Sequence, residues 1–341
     1  MSPKSHNHSS RVGITKIEVA VILGMLMVLA AVVIERIKAS QAAALRLRCS
    51  ANMKVLTTAT LNWASRNNGR LPDLYEETAI KSGERVRAPW TLRLLIDLDN
   101  TQIRRAFDEA PDSISGISLK YFQCPQDTNN FATNGGLSYV ANTGYIREDI
   151  YTRKTDGCQF AHSPRAIDWK PGGTIDEVDI RIAVSTGCFW PPAPNDDEPL
   201  TGWKSMNLDF ISSGDGQADT ILFTENTLAS NWHRADAIHS FSFGVPVVPA
   251  EDFESEDGSW LQYKPSFEER LRRLNALPGD ASHFKPGSAP RPSSNHDGIC
   301  IYGFADGSTK QISDAIDWDV YLRLLTPNGQ RYGQSTQFLD L

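Results

Sequence analysis

Residues 19–34 form an unbroken apolar run inside the stretch VGITKIEVAVILGMLMVLAAVVIERIK, with Lys16 and Glu18 at its front edge. Such a run must be buried in lipid, in a partner or in a core, so it limits every fold open to the rest of the chain. Its 16 residues fall a little short of the roughly 20 that span a bilayer as a helix. A charge entering the bilayer costs about 2.5–3.5 kcal/mol on insertion scales, so the acid at position 18 needs a partner. No proline falls between Pro3 and Pro72, and Gly24 is the only glycine between residues 14 and 66. The pattern predicts one helix over 14–66, about 80 Å long. Beyond the apolar run, Leu45, Cys49, Leu56, Ala59 and Trp63 recur at helical spacing. They make a stripe that packs against a globular domain. Asn67-Asn68-Gly69, with Pro72 just beyond, ends the helix.

The leader MSPKSHNHSSRVG is polar and carries Lys4 and Arg11, which places the N-terminus on the cytoplasmic side. A secretory signal peptide needs small neutral residues just past the apolar run. ERIKASQAA stands there instead. Ordinary cleavage, for which only Ala39-Ser40-Gln41 speaks, is thus a weaker reading than an uncleaved anchor.

With 341 residues, 40% hydrophobic and 22% charged, the chain has material for a sizeable core. The net charge is −7 and no long basic block is present, which argues against nucleic acid as a partner. The five cysteines (Cys49, Cys124, Cys158, Cys188 and Cys300) include no CxxC pair, which argues against a zinc cluster or a thioredoxin-like centre. RAPWTLRLLIDL and NTQIRRAFDEA suggest two short helices after residue 86, although the first also reads as plain core. DTILFTEN (219–226) alternates as a buried strand, and PPAPNDDEP (191–199) is a surface loop.

GITKIE resembles the type IV prepilin processing motif. That resemblance implies cleavage by a prepilin peptidase between Gly13 and Ile14, with methylation of the new N-terminus. Glu18 becomes the fifth mature residue, where a neighbouring subunit's ammonium can pair with it. Lys16 departs from the motif, which has an apolar residue there. APRPSSNHDGICIYGFADGSTKQIS (289–313) holds His296, nine residues, then Asp306-Gly307. It resembles the H-x9-DG segment of the DUF1559 family of large prepilin-like proteins. Further matching elements follow the family order: LRCSANMK with Cys49, Asn52 and Lys54, FQCPQD, SYVANTGY and GDGQADTILFTEN.

The resemblance implies an α+β, pilin-like fold, with a long N-terminal helix and a globular head containing an antiparallel sheet. The expected divisions are a leader (1–13), a transmembrane and assembly part of the helix (14–35), its amphipathic continuation (36–66) and the head (67–341). It also implies a single pass through the inner membrane, with the head periplasmic or extracellular. Partners would be the prepilin peptidase, other pilin-like subunits of a pseudopilus or type II secretion-like assembly, and membrane lipid. Cys49 and Cys124, in two of the matching elements, are a candidate disulfide. Cys158–Cys188 could be a second, leaving Cys300 buried, and five reduced thiols are the alternative.

The remaining candidates divide between chemistry and structure. His296 could act as a base oriented by Asp297 or Asp306, but no Gly-x-Ser-x-Gly or HExxH pattern accompanies it. The structural alternative is a β-hairpin turning at Asp306-Gly307. Ten strand residues at about 3.3 Å each would then hold His296 and Asp306 roughly 30 Å apart. Asp215 and Asp219 are hard oxygen donors suited to calcium, yet they lack EF-hand spacing. No cofactor is expected and a non-enzymatic role leads. A membrane-anchored binding module for a solute or polymer is the alternative, with Trp90, Trp190, Trp203, Trp232 and Trp260 available to line a pocket, and an anchored hydrolase stands third.

Overall fold

The computed structural model describes residues 15–147, 168–169, 176–192, 206–235, 240–254, 260–265 and 291–329. The chain divides into two units between Leu47 and Arg48. One continuous helix, α1 (Lys16–Arg66), contributes to both.

In the first unit, α1 is long and apolar enough to cross a membrane, and its most apolar window is unburied by the rest of the chain. Side chains from Ile17 to Ile37 lie largely exposed. The helix starts on a capping box. Thr15 Oγ1 accepts from the Glu18 amide at 3.3 Å, while Glu18 Oε2 accepts from the Thr15 amide at 2.8 Å and from its hydroxyl at 3.0 Å. The S/T-x-x-E pattern satisfies orphan amides that would otherwise face an apolar surrounding.

The second unit begins with the other half of α1. Cys49, Met53, Leu56, Thr57, Ala59, Thr60 and Ala64 are its buried face. Of the expected stripe, Leu45 and Trp63 are only half-buried, and the centre of the face lies on Met53, Thr57 and Thr60. Threonines read as polar in a hydropathy pattern, yet Thr60 Oγ1 satisfies itself on the Leu56 carbonyl at 2.9 Å. The helix stops where the Gly69 amide returns to the Ala64 carbonyl at 2.8 Å.

A small hairpin follows, β1 (Tyr75–Ala79) with β2 (Arg85–Pro89), then α2 (Trp90–Leu94) and α3 (Thr101–Glu109), the two short helices the sequence suggests. The main sheet comprises β3 (Tyr139–Arg147), β4 (Ile221–Glu225), β5 (Ser242–Glu254), β6 (Trp260–Pro265), β7 (Ile299–Phe304) and β8 (Thr309–Ser313), in the order β6-β5-β3-β4-β7-β8. Four neighbouring pairs are antiparallel, and β3–β5 is parallel. The α+β class stands, with one parallel pairing that hairpin patterns do not announce. Helices α4 (Glu177–Thr186), α5 (Leu208–Ser213) and α6 (Trp318–Leu325), with 3-10 turns at Pro111–Ile114 and Lys120–Phe122, complete the described elements.

An aromatic core fills the second unit. Trp90 packs its ring 4.8 Å from Phe223 and 6.2 Å from Phe122, and Phe122 stacks on Trp232 at 5.6 Å. Two of the buried indoles hydrogen-bond to backbone, Trp90 Nε1 to the Phe241 carbonyl and Trp232 Nε1 to that of Ile117. Trp90, Trp190 and Trp232 are therefore core residues and not the wall of an open pocket. Trp203 and the Trp260 side chain lie outside what is described.

Helix α1 lies against β7 at Gly303, where a Cβ would meet Thr57 Cγ2 at 2.4 Å and Met53 Cγ at 3.1 Å. Only a residue without a side chain lets helix and strand approach so closely. Gly303→Ala is expected to lower the stability of the folded chain by about 1–3 kcal/mol. Denaturant unfolding measures this, and an unchanged midpoint would show that the contact yields without strain.

Candidate functional site

The face of α1 that meets the sheet gathers side chains from four distant segments. Cys49 comes from α1, Cys124 from the loop after the short 3-10 turn Lys120–Phe122, Glu225 from the end of β4, and His296 from just before β7. All four are at most 2% exposed. Cys49 and Cys124 are joined by a disulfide, with Cα atoms 5.2 Å apart across 75 residues of sequence. Closing a loop of that size removes about 4 kcal/mol of unfolded-chain entropy in the simplest model.

His296 Nε2 lies 3.6 Å from Cys124 Sγ and 3.2 Å from Glu225 Oε1. Glu225 Oε2 accepts the Ile301 amide at 3.0 Å, and the Ser293 amide donates to the Glu225 carbonyl at 2.9 Å. The imidazole's carboxylate partner is thus Glu225. Asp297 is exposed and Asp306 occupies a turn beyond β7. Asp297 and Asp306, the acids expected to orient the histidine, are replaced in that place by Glu225, because the sheet brings β4 alongside β7. Its one signal was an acid closing a strand whose other residues read as buried.

The neighbourhood is polar although buried. Tyr139 Oη donates to the Cys49 carbonyl at 3.3 Å. Its hydroxyl is pushed well above its ordinary pKa by burial, and Glu225 adds to the effect. Asp127 accepts from the amides of Asn129 and Asn130 and from Asn130 Nδ2, the Asx turn that shapes the loop after Cys124-Pro125. Burial raises the Asp127 carboxyl against those hydrogen bonds. Asn52 Nδ2 donates to the carbonyls of Lys120 and Gln123, tying α1 to the same loop.

The other end of the H-x9-DG segment also meets α1. The chain turns through Ala305, Asp306 and Gly307, with Gly307 at φ +82° and its amide on the Phe304 carbonyl. The hairpin is therefore where the sequence puts it, closed by a three-residue loop. The Gly307 carbonyl accepts Lys54 Nζ at 2.5 Å and Thr57 Oγ1 at 3.3 Å. Asp306 Oδ1 accepts the Ser308 amide at 2.8 Å, and its carboxyl is held below its ordinary pKa by the bonds to Ser308, with Lys310 and Lys54 adding to them against partial burial. Strand β7 supplies six residues of the interval, not the ten expected, because the segment following His296 turns at Gly298, φ +65°.

Asp215 and Asp219 have separate partners. Asp215 Oδ2 accepts from the Gly329 amide at 2.9 Å and from Thr326 Oγ1 at 3.4 Å, whereas Asp219 is exposed and faces Lys310 Nζ at 3.7 Å. Cys188 is a free buried thiol that donates to the Ile221 carbonyl at 3.7 Å. Cys188 is therefore not half of the disulfide expected with Cys158, and its contacts run to Asn142 on β3 and Ile221 on β4. Cys300 is free and buried in β7. Cys158, Gly13, Ile14 and the acidic part of the 191–199 loop lie outside the described residues.

Asn142, from the SYVAN element, is a further structural centre that the sequence did not assign. Its Nδ2 donates to the carbonyls of Ile221 (2.7 Å) and Leu325 (2.6 Å), and its Oδ1 accepts the Gly144 amide at 2.8 Å. Asn142→Ala strands the Leu325 carbonyl and the Gly144 amide, at about 1–3 kcal/mol each, and leaves the Ile221 carbonyl with the weak Cys188 thiol. A loss of at least about 2 kcal/mol is expected in equilibrium unfolding, and a loss under about 1 kcal/mol would mean that water replaces the amide.

Comparison with curated proteins gives no significant match, and neither does comparison with solved structures. A family model described as "Protein of unknown function (DUF1559)" matches residues 38–319. That interval takes in the buried half of α1, the sheet, the disulfide and the hairpin, so the chain belongs to the DUF1559 family.

Proposed function

We propose that this chain is a pilin-like structural subunit. A prepilin peptidase would cut it between Gly13 and Ile14 and methylate the new end. Residues 14–35 would sit in the inner membrane, with the head on the periplasmic or extracellular side in a pseudopilus or secretion-type assembly. The reading rests on the first half of α1, which exposes an apolar surface of transmembrane length directly behind a capped, acid-bearing start. Such a surface needs lipid or copies of itself. The head favours a scaffold over an enzyme, because His296, the candidate base, is 1% exposed and packed against a disulfide.

Glu18 has two tasks in this scheme. Its bond to the Thr15 amide satisfies the helix start within one chain. Its charge would pair with the ammonium of a neighbouring mature subunit, and removing one member of such a pair would leave the other charge uncompensated in the assembly. The two tasks separate on substitution. Glu18→Gln keeps a capping side chain without the charge, and Glu18→Ala removes both. Both variants are expected to insert and to be processed, and both should lose cross-linking between subunits. Wild-type cross-linking in Glu18→Gln would eliminate the ion pair.

Processing is tested at the residue before the cut. Gly13→Leu should leave full-length precursor in the membrane, read by mass spectrometry of the N-terminus. A Gly13→Leu chain that still matures to Ile14 would refute the peptidase assignment.

A further inference from the structure

The disulfide, the histidine and the glutamate form a group that a scaffold does not require. Cys49 Sγ, Cys124 Sγ, Glu225 and His296 each offer a ligand atom, and these atoms all lie within 4.8 Å of one another. Zinc–nitrogen and zinc–oxygen bonds of about 2.0–2.1 Å give a tetrahedral N···O edge of about 3.3 Å, and a zinc–sulfur bond of about 2.3 Å gives an S···N edge of about 3.5 Å. The observed separations are 3.2 Å for His296 Nε2 to Glu225 Oε1 and 3.6 Å for His296 Nε2 to Cys124 Sγ. Two edges of a zinc tetrahedron are therefore already in place.

A second observation concerns Glu225 alone. Its Oε1 is buried and has no hydrogen bond, although the imidazole nitrogen is 3.2 Å away. The two atoms are near but not aligned as donor and acceptor, as expected for groups that converge on a third point. Glu225 Oε2 is meanwhile fixed by the Ile301 amide, the outer-shell bond that orients a ligating carboxylate. A buried carboxylate oxygen left without a hydrogen bond is expensive, and an ion accounts for it.

We propose that Cys49, Cys124, His296 and Glu225 form, in the dithiol state of the chain, a buried site for a divalent cation of the zinc type, as an alternative to the disulfide. Reduction of the disulfide by a phosphine takes two electrons from phosphorus and two protons from water, whose oxygen leaves as the phosphine oxide. Binding then releases the two thiol protons and forms two metal–sulfur bonds, one metal–nitrogen bond and one metal–oxygen bond. The sulfurs must separate to about 3.8 Å, the thiolate edge of the tetrahedron. Thiolate and imidazole donors select zinc, cobalt or copper over calcium and magnesium. Either cross-link ties α1 to the loop after Lys120–Phe122, and the metal adds β4 and the entry to β7. The head would thus hold α1 in both reducing and oxidising surroundings.

The test uses the full chain in detergent, reduced with a phosphine, freed of excess reductant and titrated anaerobically with Co²⁺. One equivalent of cobalt should bind, with the intense ligand-field bands of tetrahedral coordination and thiolate charge-transfer bands, and Zn²⁺ should displace it. The oxidised chain should show neither band. Cys49→Ser should lose most of the charge-transfer intensity. His296→Ala and the isosteric Glu225→Gln should each weaken binding by at least about 10- to 100-fold, the range found for outer-shell losses, with circular dichroism reporting the fold. Octahedral cobalt, no cobalt, or affinity unchanged in both His296→Ala and Glu225→Gln would overturn the proposal. So would a reduced chain that unfolds and is not restored by Zn²⁺.

Discussion

The contact between the second half of α1 and strand β7 is the constraint on which the head depends. A helix can lie this close to a strand only where the strand has no side chain, and Gly303 provides that gap for Thr57 and Met53. The contact is then fixed at both ends. Lys54 and Thr57 hold the Gly307 carbonyl at the hairpin turn, and Ser50 Oγ meets Thr309 Oγ1 at 2.9 Å on the neighbouring strand. At the other end the Cys49–Cys124 disulfide meets His296. The H-x9-DG segment therefore works as a clamp with α1 between its two ends. Nine residues separate the ends because six of them form β7.

Polar groups are numerous for a core in this head, and two of them are satisfied several times over. Asn142 makes three bonds to backbone from three segments. Asp127 closes its own turn with three more. A buried polar group without partners costs about 1–3 kcal/mol, so each satisfied one also excludes alternative packings in which it would be stranded. The shallow hydropathy contrast of the head follows from this. Its strands carry Thr, Asn, Ser and Glu where a simpler sheet would carry valine.

The first half of α1 obeys different physics. It has almost no tertiary contacts among the described residues, and its side chains are apolar on every side. Backbone hydrogen bonds inside the helix are its only internal satisfaction, which is the condition for a segment placed in lipid. The capping box of Thr15 and Glu18 extends that satisfaction to the first turn. An acid in front of an apolar helix is thus useful to a single chain before any partner is considered.

The sequence by itself determined the elements whose cause is local. The absence of proline and the apolar run specify α1, the Asn-Gly signal specifies its end, and Asp306-Gly307 specifies the hairpin turn, because periodicity and turn chemistry act over a few residues. Ordered short motifs also sufficed to place the chain in its family. Tertiary structure alone decided which distant residues meet. Glu225 and His296 are 71 positions apart in the numbering and become neighbours because β4 pairs with β7. The parallel pairing of β3 with β5 and the buried role of Met53, Thr57 and Thr60 were likewise invisible. No local propensity encodes a strand's neighbour, and a threonine counts as core only once Gly303 has brought a strand against it.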